Sequence, residues 1–281
     1  MKISNTILLS FFGFACASVI KEKRIIGGTA VKDIDTFPYA ARISIEFFSY
    51  TTHCGATVIS NSTVITAAHC VVDLNTNAKF PPYLISVGVG STSRSQSYLL
   101  KVSKVDVYPN FKRLGSFVTN DLAILHVPEL SKYMVGSGVN KGEVHHVKAA
   151  PIYDGPLPEG AKLTAIGWGQ TNADSNTIVD ELQQTDLNIG NQQECSQFLS
   201  GYESSDGPSI CTQMELNPGS DTCQGDNGGG LFITIGGMKY LAGITSYGAN
   251  SKGNTICASP DGFSIFTHVH YYQSFINECQ R

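Results

Sequence analysis

The sequence predicts an all-β body closed by a C-terminal α-helix. Short apolar and β-branched runs recur along the chain with turn residues between them. Glycine is abundant, 28 of 281 residues, and spread rather than periodic, which suits many tight turns and excludes a fibrous repeat. Only the final stretch changes period: Val269, Tyr272, Phe275, Ile276 and Cys279 fall on one face of a helix.

Taken in order, residues 1–17 read as a secretory signal. Lys2 supplies the positive end, Ile3 to Phe14 the apolar stretch, and Ala15-Cys16-Ala17 the small residues before a cut. That stretch is too short for a membrane anchor. A basic segment, 18–24, ends in Lys23-Arg24, and one domain, 25–281, follows. Strands are expected at Tyr39 to Phe48, Cys54 to Ile59, Tyr83 to Val89, Tyr98 to Tyr108, Leu122 to Val127 and Lys162 to Ile166. Two more, Gly230 to Ile235 and Lys239 to Ser246, are joined at Gly236-Gly237 as a hairpin.

The whole chain carries a net charge of −4. The first 24 residues hold four cations against one acid, so the body from Ile25 holds 15 basic and 22 acidic residues, a net of −7. Such a body repels nucleic acid and anionic lipid, and neither is expected as a partner. Eight cysteines in an exported chain point to disulfides in an oxidising compartment. Loss of Cys16 with the signal leaves seven, so one thiol is free, intermolecular or paired with a retained Cys16.

Three separated segments carry the chemistry. Thr66-Ala67-Ala68-His69-Cys70 places a histidine after small residues and beside a cysteine. Asn120-Asp121 sets an aspartate at the mouth of the apolar run Leu122 to Leu125. Asp221 to Gly230 is a glycine-rich loop with two acids and a cysteine. Taken singly, each is a residue pattern that β folds use for structural reasons.

Together, and with Arg24-Ile25-Ile26-Gly27-Gly28 ahead of them, the segments resemble the chymotrypsin/trypsin family of serine proteases from about Arg24 to Phe275. The resemblance implies two six-stranded antiparallel β-barrels with the site in the cleft between them. It makes His69 the general base and Asp121 the residue that orients it. Gly225 and Asn227 supply the oxyanion-hole N–H groups. Asp221 becomes the acid of a Lys/Arg pocket that Ser246, Gly248 and Ser264 also line. Cleavage at Arg24-Ile25 would free an amino group to pair with Asp226. The implied disulfides are Cys54–Cys70, Cys195–Cys211 and Cys223–Cys257, leaving Cys279 for another chain or Cys16.

The sequence departs from the family where the nucleophile should stand. Residue 227 is asparagine, whose amide nitrogen lone pair is delocalised and gives no comparable nucleophile; its NH2 is instead free to donate to His69. Gly230 replaces the proline that usually ends the motif, and Ser264 replaces a pocket-wall glycine. The expectation is a secreted pseudoprotease that holds a polypeptide or protease partner without cutting it; the alternative is an active endopeptidase cleaving after Lys or Arg. Asn61-Ser62-Thr63 is a glycosylation acceptor. His145-His146, His268 and His270 are expected on the surface, without a third metal ligand, and no metal or cofactor is expected.

Overall fold

In the computed structural model, residues 25–115, 117–131, 147–171, 177–199, 201–250, 252–254 and 257–281 are described. The segments 1–17 and 18–24, and His145-His146, lie outside the described residues.

A two-residue strand, β1 (Thr29–Ala30), precedes the first sheet. That sheet comprises β2 (Ala40–Glu46), β3 (Thr51–Val58), β4 (Thr63–Thr66), β5 (Ile85–Val89), β6 (Tyr98–Lys101) and β7 (Lys104–Val107). A small hairpin of β8 (Lys112–Leu114) and β9 (Phe117–Thr119) leads into its last strand, β10 (Ala123–His126). Neighbours run in the order β6-β5-β2-β3-β4-β10-β7. Only Val102 and Ser103 separate β6 from β7, yet these two lie at opposite ends of that order. They are halves of one bent strand, so the sheet closes into a six-stranded barrel.

The second sheet holds β11 (Lys162–Gly167), β12 (Gln183–Asn188), β13 (Ser209–Gln213), β14 (Gly230–Ile235), β15 (Met238–Asn250) and β16 (Gly262–His268). Its order is β1-β12-β11-β14-β15-β16-β13. Ile189, just past β12, bridges Thr212 of β13 and closes this ring as well. The N-terminal β1 is an addition on β12. Two six-stranded antiparallel barrels are therefore present.

The expected hairpin forms as written: Gly236 (φ 59°) and Gly237 (φ 82°) make the two-residue turn between β14 and β15, a conformation that Cβ-bearing residues rarely adopt. At the C-terminus a 3₁₀ turn (His270–Tyr272) runs into a helix at Gln273–Cys279. Val269, Tyr272 and Ile276 are buried, as their spacing predicts, and join the core of the first barrel. A second helix, α1 (Gln192–Phe198), was not foreseen. Asn191 caps it by accepting from the Glu194 N–H at 2.9 Å, and the Glu194 carboxylate accepts from Asn191 Nδ2 in return. The C-terminal helix is then α2.

All three implied disulfides form: Cys54–Cys70, Cys195–Cys211 and Cys223–Cys257. One histidine departs from expectation. His268 is buried at the end of β16, 1% exposed, with Nδ1 2.9 Å from the Gly207 carbonyl; β16 is covered on both faces, so nothing in its pattern marks an outward position.

Candidate active site

His69 sits in the 3₁₀ turn Ala68–Cys70 that follows β4, and Asp121 lies two residues before the start of β10. Because β4 and β10 are paired, the two residues meet at the same end of the barrel. His69 Nδ1 lies 2.7 Å from Asp121 Oδ2, and the His69 backbone N–H donates to Asp121 Oδ1 at 2.8 Å. Ser246 Oγ, from the second barrel, donates to the same Oδ2 at 2.5 Å. Burial by itself would raise the Asp121 pKa, but the His69 charge and these three donors hold it below its ordinary value. Burial likewise opposes charging of His69, and the neighbouring Asp121 overcomes it, so the histidine is raised above 6.5. An ionised Asp121 selects the Nδ1–H tautomer of neutral His69, leaving Nε2 as an acceptor.

Four further groups set Asp121 in place, and sequence reasoning missed three of them. Asn120 adopts a left-handed backbone (φ 54°), which asparagine tolerates, and turns the chain into β10. Its side chain donates to the Asn110 carbonyl at 2.8 Å and accepts from Tyr272 OH at 2.9 Å. Thr267 Oγ1 donates to the Asp121 carbonyl at 2.8 Å. The C-terminal segment thus buttresses the site from behind. The only sequence signal was the left-handed tendency of the Asn in Asn120-Asp121.

The glycine-rich loop before β14 crosses to the first barrel. Asn227 offers its carbonyl to the Gly55 N–H at 2.7 Å, and Gly228 N–H donates to Thr245 at 2.7 Å. Gly228 has φ 81°, and a Cβ there would strike Thr66 Oγ1 and the Gly55 carbonyl, so only glycine permits this approach. Asn227 is half-buried, and its carbonyl lies 3.7 Å from the Cys70 sulfur, itself 3.9 Å from His69 Nε2. The loop and the histidine are therefore neighbours. Among the described residues, no hydrogen bond joins the Asn227 side chain, which is free to donate, to His69. The N–H groups of Gly225 and Asn227 have no protein acceptor among the described residues, the condition an anion-accepting nest requires.

Asp221 is 5% exposed, and both its oxygens are engaged. Ser264 Oγ donates to Oδ1 at 2.6 Å, and the Ala258 N–H donates to Oδ2 at 2.8 Å. Burial nonetheless raises its pKa. The space in front of it, lined by Asp221, Gln224, Asn227, Tyr247 and Gly248, amounts to about 30 Å³. That holds one or two waters, not a lysine or arginine side chain.

The fold, the disulfides and this site point one way, and residues 25–276 match the family description Trypsin. The chain belongs to the trypsin family. It is 27% identical over 252 residues to Trypsin Tyr p 3.0101 of Tyrophagus putrescentiae, a match covering 90% of this chain and 79% of that protein. It is 30% identical over 251 residues to Trypsin delta of Drosophila erecta, covering 86% and 88% of the two. Hypodermin-B of Hypoderma lineatum is 28% identical over 255 residues, with 91% and 87% covered.

The segment that opens the trypsin-family domain is already seated. Ile25 is fully buried, and Ile26 forms an antiparallel bridge with Asp221. Asp226, with no exposed surface, accepts from the Gly169 and Cys223 N–H groups at 2.8 and 2.9 Å. Burial, with a small push from Asp221, raises its pKa from 3.8 to about 7. Asn61, the expected glycosylation acceptor, donates through Nδ2 to Glu129 at 2.8 Å. Cys279 is a half-buried free thiol, and burial pushes its pKa to about 11, which leaves little thiolate at neutral pH.

Proposed function

We propose that this trypsin-family protein is exported, loses residues 1–17, is cut after Arg24, and then binds a polypeptide in its cleft without hydrolysing it. One observation carries the reading: residue 227, on the loop beside His69, is asparagine. Acyl transfer needs a hydroxyl whose proton passes to the imidazole during attack, and a carboxamide has none. Removing the serine of such a triad costs on the order of 10⁶ in turnover in subtilisin. The engaged Asp221 and the small space before it support the same reading, since a cleaving trypsin needs room for a long cationic side chain. The three disulfides fit an oxidising, extracellular setting. Cys279 is the residue through which a second chain would be covalently linked.

The alternative is an active endopeptidase. Its support is the intact His69–Asp121–Ser246 network and the names of the relatives.

The test uses the secreted protein cut after Arg24, with a fluorogenic peptide ending in arginine. The parent is expected to be inert, and the Asn227→Ser/Ser264→Gly double variant active. Turnover by the purified parent, with a covalent adduct to diisopropyl fluorophosphate, overturns the reading.

A further inference from the structure

We infer that the depression between the loop leaving His69 and the loop arriving at Asp121 binds an acidic peptide segment that also carries aromatic side chains. It has a volume of about 460 Å³, with Lys79, Lys112 and Arg113 around it and Val72, Tyr108 and Phe111 among its walls.

The charges are the first argument. The chain as a whole is acidic, yet three cations converge here. Two lysines elsewhere take carboxylate partners, Lys104 with Asp106 and Lys162 with Asp186, both at 2.7 Å, while Lys101 donates to Ser86 and Lys239 lies over the Phe37 ring. Among the described residues, none of the three cations at this depression has a carboxylate partner. Lys79 Nζ donates to the Val105 carbonyl at 3.1 Å, and Arg113 to the carbonyls of Gly115 and Leu74 at 2.9 and 3.2 Å. Of the nearby acids, Asp73 accepts from the Asn75 N–H, and Asp106 is held between Lys104 and His126. The positive charge is left for a ligand, and carbonyl contacts fix its direction without neutralising it.

The walls choose the kind of ligand. Tyr108 is packed edge-on against Tyr272 and Phe275, so it presents a fixed apolar surface, and Leu114 is 57% exposed at the rim. A sulfated polysaccharide offers no apolar groups to such walls. A peptide that alternates carboxylates with aromatic rings uses both features. The site is preformed: Val72 bridges Lys79, Lys112 pairs with Thr119, and the Arg113–Leu74 bond ties the two loops together. Its loops belong to the chain segments that follow His69 and that lead through the β8–β9 hairpin to Asp121. The inference stands whether or not residue 227 supports catalysis.

The experiment measures fluorescence anisotropy of a labelled, capped peptide of alternating glutamate and phenylalanine against the full secreted protein at low salt. Lys79→Glu/Lys112→Glu is compared with Lys148→Glu/Lys162→Glu, which changes the net charge equally on other surfaces. Melting temperatures check both folds, and Lys79→Gln/Lys112→Gln serves if the reversal fails to fold. Saturable binding by the parent, weakened about tenfold or more by the first pair and less than about twofold by the second, supports the site. Equal weakening by both pairs, or no saturable binding by the parent, overturns it. So does a heparin oligosaccharide that binds more tightly than the peptide and is lost in the same variant.

Discussion

Replacing Asp226 with asparagine isolates the one fully buried carboxyl whose pKa is pushed to about 7. Arg24→Gln in the same chain keeps it uncut. An acid whose folded pKa is raised holds its proton more tightly folded than unfolded. Its contribution to stability is therefore complete below about pH 4 and is lost as pH rises through about 7. The interval from 3.8 to about 7 corresponds to about 4 kcal/mol. Asp221 is raised as well and acts with the same sign, and so does His69 at higher pH; both remain in the variant, so the difference between the two chains belongs to residue 226. The asparagine brings a cost that does not vary with pH, about 1–3 kcal/mol, because its oxygen can accept from only one of the two N–H groups now bound by the carboxylate and its NH2 must face the other. Urea unfolding between pH 4.5 and 8 reads the result. The uncut parent should lose about 3 kcal/mol more than the variant across that range, since part of the effect is already gone at pH 4.5. In the cut parent the Ile25 ammonium, if it reaches Asp226, keeps the carboxylate charged and removes that slope. Parallel pH profiles for the uncut parent and its Asp226→Asn variant would refute the reasoning.

Two other substitutions test the neighbouring carboxylates. Ser264→Gly removes the 2.6 Å donor to Asp221 and should cost about 1.5–3 kcal/mol in unfolding free energy. The same change should create benzamidine binding measurable by calorimetry, and equal affinity in the parent would show that the hydroxyl does not close the pocket. Asp121→Asn removes the charge that raises His69 but leaves the burial that lowers it. The His69 ring should then titrate below its ordinary 6.5, as read by NMR.

The barrels were legible where side chains alternate or run apolar, and not where the ring interior is polar. β5, with all five residues buried, and the Gly236-Gly237 hairpin were visible. β12 was not, because its inward positions include Gln183 and Thr185, which are buried beside Leu187 and break the hydrophobic alternation. β16 escaped for a related reason: Ser264, Thr267 and His268 are buried with its apolar residues, and their partners Asp221, Asp121 and Gly207 lie in loops distant along the chain. The site reads the same way. His69, Asp121 and the 221–230 loop stood out by residue type and order, whereas the support from Thr267 and Tyr272 depends on three-dimensional closure.

The site's scaffolding and its chemistry are carried by different atoms, which explains how asparagine can stand at residue 227 in an ordered cleft. The loop is positioned by main-chain N–H bonds from Gly55 to Asn227, Gly228 to Thr245 and Gly229 to Asp226, and by the Cys223–Cys257 disulfide. None of these uses the residue 227 side chain. Asp121, by contrast, uses both carboxylate oxygens in the fold, so its loss would be felt structurally. It follows that Asn227→Ser should leave the unfolding free energy within about 0.5 kcal/mol of the parent, as for a partly exposed side chain without partners. Urea unfolding of the two proteins decides it. A loss above about 2 kcal/mol would mean that the carboxamide holds the loop itself.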